Sequence, residues 1–385
     1  MSERLGHAGL PRPEGRLIWL HGASVGEAMS LLPLVRAMQS LTEAQFLVTT
    51  GTVTSARRLE GLLPEGAMHQ YVPVDTAGAV TRFLDHWRPD LGIWVESELW
   101  PRLVFETAQR GTPMAMVNAR LSANSHARWM KARRMAHALF SKFSEVLSQD
   151  NETITRLSDF GVAAEFAGNL KALVDVPNPD PAELKDLHTA LGARPVWLAA
   201  STHPGEDEVA LAAQKRIAEK TGALLILAPR HPERGDTIAE WIESGGSSIP
   251  RRSAGQTPRP EDDVYLADTL GEMGLWYRLA PVTFVGGSFA DVGGHTPFEP
   301  ISCGSAVIHG PNVQNFAPAY SSLAEGVAAL AVTRADDLGG AVAGLLEDQG
   351  AREELTLGAS RVHDSLKPDV DAIAAELLAL MEDHA

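Results

Sequence analysis

Cysteine is almost missing from this chain: Cys303 is the only one in 385 residues. An intrachain disulfide framework and any cysteine-based zinc cluster are therefore excluded, which fits a reducing compartment and leaves packing as the expected role of Cys303. Positive charge is also short. Against 49 Asp and Glu stand only 33 Lys and Arg, a formal net charge of −16. That balance argues against non-specific nucleic-acid binding and against broad adhesion to an anionic bilayer. No apolar run reaches the ~20 residues that a membrane-spanning helix requires. The N-terminus is polar and rich in Gly, Pro and Arg, without the apolar centre of a secretory signal. A cytoplasmic protein is the expectation.

What remains is ordinary globular material, 44% hydrophobic and 21% charged, long enough for two domains. Apolar runs with the look of buried strands alternate with helical stretches, the pattern of parallel α/β sheets. In the first half these runs are Leu17–His21, Gln45–Thr49, Leu91–Val95, Met114–Val117 and, more weakly, Val146–Leu147. The second half repeats the theme with Val196–Ala200, Leu224–Ala228, Val282–Val285 and Ala306–Ile308. Between them Val176-Pro177-Asn178-Pro179-Asp180-Pro181 carries three prolines that block both helix and central strand. The expected domains are residues 1–175 and 176–385. The stretch Pro250 to Asp263 is polar and carries Pro258 and Pro260, and reads as a surface loop. Two such halves are expected to face a cleft lined by the carboxyl ends of their strands.

Chemistry-bearing residues gather where those runs end. His21-Gly22-Ala23-Ser24-Val25-Gly26-Glu27 follows the first run and opens a helical pattern that Pro33 interrupts. Glu27 there either stabilises the first helical turn or acts catalytically. Glu96 and Glu98 follow another run. Period two places them on one face if the strand continues, either in a salt bridge to a nearby Arg or tuning a reacting group. Lys171, in Gly168-Asn169-Leu170-Lys171, stands beside the proline-rich hinge. In the second half Ser201-Thr202-His203 offers a helix cap. Arg230, His231 and Arg234 cluster in a way that suits a phosphate. Ala267-Asp268-Thr269-Leu270-Gly271-Glu272, Val285-Gly286-Gly287-Ser288 and Gly293-Gly294-His295-Thr296-Pro297-Phe298-Glu299-Pro300 read as junctions where a nucleotide sugar could lie against exposed backbone N–H groups, with Glu299 accepting from ribose hydroxyls. Arg128, Lys131, Arg133, Arg134, His137 and Lys142 form a basic stretch of helical spacing, either a solvated face or a contact to an anionic acceptor.

Together with Glu96-Ser97-Glu98-Leu99-Trp100-Pro101, Asn118-Ala119-Arg120-Leu121-Ser122 and Pro229-Arg230-His231-Pro232-Glu233-Arg234, these motifs occur in an order that resembles the 3-deoxy-D-manno-octulosonic acid (Kdo) transferases of lipopolysaccharide synthesis. The resemblance spans nearly the whole chain. It implies an α/β protein of the GT-B type, with two Rossmann-like domains, the N-terminal one binding acceptor and the C-terminal one binding donor. It further implies CMP-Kdo as donor, a lipid A precursor as acceptor, and peripheral contact with the inner membrane. By motif, Glu27 matches the general base, and Glu96 and Lys171 match positions that stabilise the transition state. Pro229 and Arg230 with His231 beside them, Gly271-Glu272-Met273 and Phe298-Glu299-Pro300 match the CMP-binding elements. Because CMP carries one phosphate, no metal cofactor is expected.

The chain departs from that family pattern in three ways. It starts with Ser2-Glu3-Arg4-Leu5-Gly6 where the family's segment after a hydrophobic anchor would start, it has Thr296 and Phe298 where the family has Asn and Leu, and it is strongly acidic. Phe298 is expected to add bulk beside the nucleotide. Two alternatives follow: a soluble relative that transfers Kdo or another acidic sugar to a different glycan, and a catalytically silent nucleotide-binding protein. The intact Glu27, Glu96 and Lys171 count against silence.

Overall fold

The computed structural model describes residues 2–174, 176–244 and 249–382. Two compact units divide the chain, one formed by Met1–Val174 with Leu366–Ala385 and the other by Asp175–Ser365. The chain passes from the first unit to the second at residues 174–175, and its last twenty residues belong to the first unit rather than to residues 176–385 as a block. The helix Val370–Glu382 packs on the helix Val25–Gln39 of the first unit. There Ile373, Ala374, Leu377 and Met381 join Leu31 and Val35 in one cluster. Each large side chain buried this way contributes about 1.5–3 kcal/mol, enough to recruit a distant segment that no local pattern assigns.

The first unit is a seven-stranded parallel sheet built from β1 (Leu17–His21), β2 (Gln45–Thr50), β3 (Ala67–Tyr71), β4 (Leu91–Val95), β5 (Met114–Ala119), β6 (Glu145–Ser148) and β7 (Glu165–Phe166), in spatial order β3-β2-β1-β4-β5-β6-β7. All five residues of β1 and of β4 are buried. Ile18 and Leu20 pack into the cluster on one face of the sheet, and Leu17 and Trp19 into the cluster on the other. Burial on both faces is why these strands read as unbroken apolar runs. Pro33 lies within the helix Val25–Gln39, which continues through it.

The second unit repeats the plan with six parallel strands: β8 (Val196–Thr202), β9 (Leu224–Pro229), β10 (Val264–Leu266), β11 (Val282–Val285), β12 (Ala306–His309) and β13 (Leu330–Ala331), in the order β10-β9-β8-β11-β12-β13. In each unit the first strand of the sequence is flanked by the second and by a later one, so strand order reverses there. In open α/β sheets the carboxyl edge at such a reversal point is the usual ligand position. Glu27 and Glu96 follow β1 and β4 in the first unit, while His203 and Gly287 follow β8 and β11 in the second.

Candidate functional site

In the first unit Ser24 caps the helix that carries Glu27. The Glu27 N–H donates to Ser24 Oγ at 3.3 Å, the Ser24 hydroxyl donates to Glu27 Oε1 at 2.6 Å, and the Ala23 N–H donates to Glu27 Oε2 at 2.8 Å. This capping-box arrangement holds the carboxylate at the mouth of the first turn. Glu27 is only 8% exposed. Burial, followed by the nearby charge of Glu96 and a smaller contribution from Glu98, raises its pKa above the ordinary carboxylate value, against the hydrogen bonds from Ser24 and Ala23. The helix-stabilising reading of Glu27 is thus seen in these bonds.

Glu96 and Glu98 do not share a strand face. The strand stops at Val95, and Glu96 adopts a left-handed backbone at φ 59°, which breaks the period of two. Its carboxylate forms an ion pair with Lys171, not with an arginine, whereas Glu98 accepts a hydrogen bond from Trp100 Nε1 at 3.1 Å. Lys171 sits in the short 3-10 turn Leu170–Leu173, where Asn169 Oδ1 accepts the Lys171 N–H at 3.0 Å. The Asn118 side chain accepts the Leu170 N–H at 2.9 Å, and the Asn169 N–H donates to the carbonyl of Leu366 at 2.8 Å. Asn118 is itself left-handed, at φ 51°, and buried at the end of β5. Its place in the sequence motif carried no role; an asparagine ending an apolar run, tolerant of positive φ and able to bond backbone, was the available signal. Glu27, Glu96 and Lys171 therefore come together, with Glu98 close enough to act on Glu27 through its charge.

The second unit corrects the reading of its glycine junction. Glu206, 1% exposed, points its carboxylate into the loop after β11 and accepts the N–H groups of Gly287 (2.7 Å), Ser288 (2.9 Å) and Phe289 (2.8 Å), with Ala290 at 3.4 Å. It also accepts the His203 N–H at 2.9 Å. The amides expected to lie open to a nucleotide are satisfied from within the protein. Nor do Ser201 and Thr202 cap the next helix, whose N-cap is Gly205. Thr202 instead donates to Asp207 Oδ1 at 2.6 Å, and Arg234 forms an ion pair with the same buried Asp207.

Arg230 and His231 stay exposed at the end of β9, and Arg230 takes part in no ion pair among the described residues. Beside them His203 and His295 stack at 13° with Nε2 atoms 2.9 Å apart, and His231 meets His203 edge-on at 5.9 Å between centroids. Burial, then the positive Arg230 and the neighbouring histidines, lower His295 to a pKa of about 4. Burial lowers His203 as well, against the charge of Glu206. His231 has Glu233 at 3.5 Å, but Arg230 has no acidic partner among the described residues, and an unpaired exposed guanidinium suits an anion.

The remaining expected donor residues have protein partners. Glu272 is gripped by Arg252, whose Nε lies 3.0 Å from both carboxylate oxygens, and Thr269 donates to it. Asp268 accepts from Arg251 and from the backbone and hydroxyl of Ser253. The polar stretch after Pro250 is thus a strap that neutralises this junction. Both acids are held below their ordinary pKa values: burial opposes the shift, and hydrogen bonds from Ser253 and Arg251, or from Arg252 and Thr269, overcome it. Gly271 is exposed at φ 87°, and Met273 begins the helix that follows. Glu299 hydrogen-bonds Tyr277. Phe298 does not crowd the junction: it is buried and stacks on His363 at 5.3 Å, with Pro300 also buried. Pro229 is the buried last residue of β9. Among the described residues no group of three His, Cys, Asp or Glu side chains is disposed to hold a metal ion, and no helix is long and apolar enough to cross a membrane.

The basic stretch falls on two short helices, Ala123–Met130 and Arg133–Phe140, not on one. Arg133 donates to the carbonyl of Asp159 and His137 bonds that of Phe160, while Met130 and Met135 are exposed beside Lys131 and Arg134.

Two parallel α/β units with chemistry-bearing side chains at their strand ends are a fold of the GT-B type, and a UDP-N-acetylglucosamine 2-epimerase from Neisseria meningitidis shares that fold at 12% identity, with a TM-score of 0.62 over 95% of this chain and all of that one. A family model described as 3-deoxy-D-manno-octulosonic-acid transferase matches residues 1–174. The Kdo transferase of Haemophilus influenzae is 35% identical over 357 residues, 91% of this chain and 83% of that protein. That of Bordetella pertussis is 38% identical over 353 residues, covering 87% and 80%. The chain belongs to the Kdo transferase family of glycosyltransferases.

Proposed function

We propose that this protein transfers Kdo from CMP-Kdo to a lipid A-type acceptor with inversion at the anomeric carbon. The observation that carries the reading is the convergence of Glu27, raised in pKa, on the Glu96–Lys171 ion pair. Glu27 takes the proton of the acceptor hydroxyl as its oxygen bonds to the anomeric carbon. The bond from that carbon to CMP breaks on the opposite face, and its electron pair stays on the phosphate oxygen. Lys171, fixed by Glu96, offers its ammonium to the anionic donor, while Glu96 favours the positive charge that grows on the sugar.

In the second unit Arg230 and His231 meet the phosphate, with the Gly271-Glu272-Met273 and Phe298-Glu299-Pro300 segments around the rest of CMP. Arg252 and Tyr277 leave Glu272 and Glu299 prepositioned by protein partners, so these segments act as shaped walls. One phosphate met by a guanidinium calls for no metal cofactor, and activity is expected to survive EDTA. The exposed Met130 and Met135 among basic side chains support peripheral contact with the cytoplasmic leaflet of the inner membrane, where the acceptor would be met.

The test is transfer from CMP-Kdo to a tetraacylated lipid A precursor by purified protein, read by product mass. A gain of one or more Kdo units, lost in Glu27→Gln, is expected. Transfer only to a different glycan would overturn the acceptor, and full activity in Glu27→Gln would overturn the base.

A further inference from the structure

The paired imidazoles of His203 and His295 have no part in the roles above, yet their geometry is restrictive. Two Nε2 atoms 2.9 Å apart can hold only one proton between them, because a proton on each would place two N–H groups head to head. Both residues are anchored through their backbones. The backbone of His203 is tied to Glu206 at 2.9 Å, and the carbonyl of His295 accepts the Tyr320 hydroxyl at 3.0 Å. Gly287, at φ 68°, leaves the space that the His295 ring fills, since a Cβ there would fall 3.1 Å from the ring.

The charged groups around the pair are few. Glu206 favours protonation of His203, but its oxygens are already shared among the amides of residues 287–290. Arg230, Arg234 and His231 oppose protonation; Arg234 is compensated by Asp207 and His231 lies 3.5 Å from Glu233, whereas Arg230 has no acidic partner among the described residues. An anion arriving beside Arg230 reverses that balance: it neutralises the opposing charge and supplies an acceptor to a protonated ring.

We propose that His203 and His295 form a proton-taking anion site, in which the phosphate of a nucleoside monophosphate binds beside Arg230 and the pair takes up one proton from solvent as it does so. The proposal rests on the donor reading above and deepens it, adding a proton to the bound state. The imidazole–imidazolium pair then shares its proton along the short Nε2–Nε2 line and faces the phosphate with net positive charge.

Calorimetric titration of the protein with CMP at pH 7, repeated in buffers of different ionisation enthalpy, counts the protons exchanged. Net uptake is expected in the wild type, and most of it is lost in His295→Gln and in His203→Gln, two variants that keep a hydrogen-bonding side chain and are checked by thermal melting. The phosphate of CMP titrates in the same way in all three proteins, so the difference belongs to the pair. Binding with the same proton count in wild type and in both variants would overturn the proton-taking site and leave the donor reading standing. Absence of CMP binding by the wild type would overturn both.

Discussion

Glu206 Oε2 accepts the backbone N–H of Gly287 at 2.7 Å, so a carboxylate from the helix after β8 occupies the glycine loop after β11. The same carboxylate binds three further amides of that loop and the N–H of His203. The two strands that flank the reversal point are thereby joined at their carboxyl ends.

Removing that carboxylate strands several buried donors at once. Glu206→Ala should lower stability by about 3–5 kcal/mol, since each orphaned buried amide costs roughly 1–3 kcal/mol and water recovers part of the loss. Glu206→Gln should lose less, because one carbonyl acceptor remains. Urea denaturation of the two variants measures the difference; near-wild-type midpoints for Glu206→Ala would mean the loop needs no internal anion.

The pH dependence of turnover follows from the neighbours of Glu27. A base must be ionised, and burial together with Glu96 raises the Glu27 pKa, so activity should fall on the acid side at a pH above the ordinary carboxylate value of about 4.3. Glu96→Gln removes a like charge and takes a negative partner from the Lys171 ammonium. Both changes favour ionised Glu27, so the acid limb should move to lower pH even as the maximal rate drops about tenfold or more. An acid limb that stays in place in the variant would assign the titration to another group.

Gly26 is exposed in the first turn, and a Cβ there would lie 3.8 Å from Lys171 Cε. Gly26→Ala fits that space and should be neutral or stabilising by about 0.5–1 kcal/mol. Gly26→Leu carries its bulk over Lys171 and should cut kcat on the order of tenfold or more with little change in melting temperature. Equal kcat for the two variants would show that Lys171 has room to evade the side chain.

Gly168 stands at φ 85° and faces Leu366 and Pro368, with a Cβ predicted 2.9 Å from backbone atoms of both. Gly168→Ala should destabilise the protein by roughly 1–3 kcal/mol and lower kcat in parallel, because the Leu366 carbonyl beside it also accepts the Asn169 N–H next to the Lys171 turn. Thermal melting and steady-state kinetics on one preparation check both. A melting shift without a kinetic effect would separate the Leu366 contact from the site.

Fold class was legible because a sheet covered on both faces writes its central strands as continuous apolar runs. The four strands that such runs do not announce, β3, β7, β10 and β13, are the edges of the two sheets. An edge strand has one neighbour and needs less apolar burial, as the partly exposed β3 and fully exposed β7 show. Glu27, Glu96 and Lys171 could be named from their motifs, but the Glu96–Lys171 ion pair and its nearness to Glu27 could not. It depends on left-handed turns at Glu96 and Asn118 that no strand periodicity foretells.

By itself, then, the sequence determined the parallel α/β plan, the division near residue 175, the family motifs and the chemical types gathered at strand ends, since these follow from local pattern and composition. The tertiary structure alone decided which of those groups are already engaged. Glu206 fills the glycine loop, Arg251 and Arg252 neutralise Asp268 and Glu272, Asp207 claims Arg234, and the C-terminal helix returns to the first unit. Partners far apart along the chain leave no local trace, because a charge or an apolar face shows its chemistry in the sequence but not what neutralises or covers it.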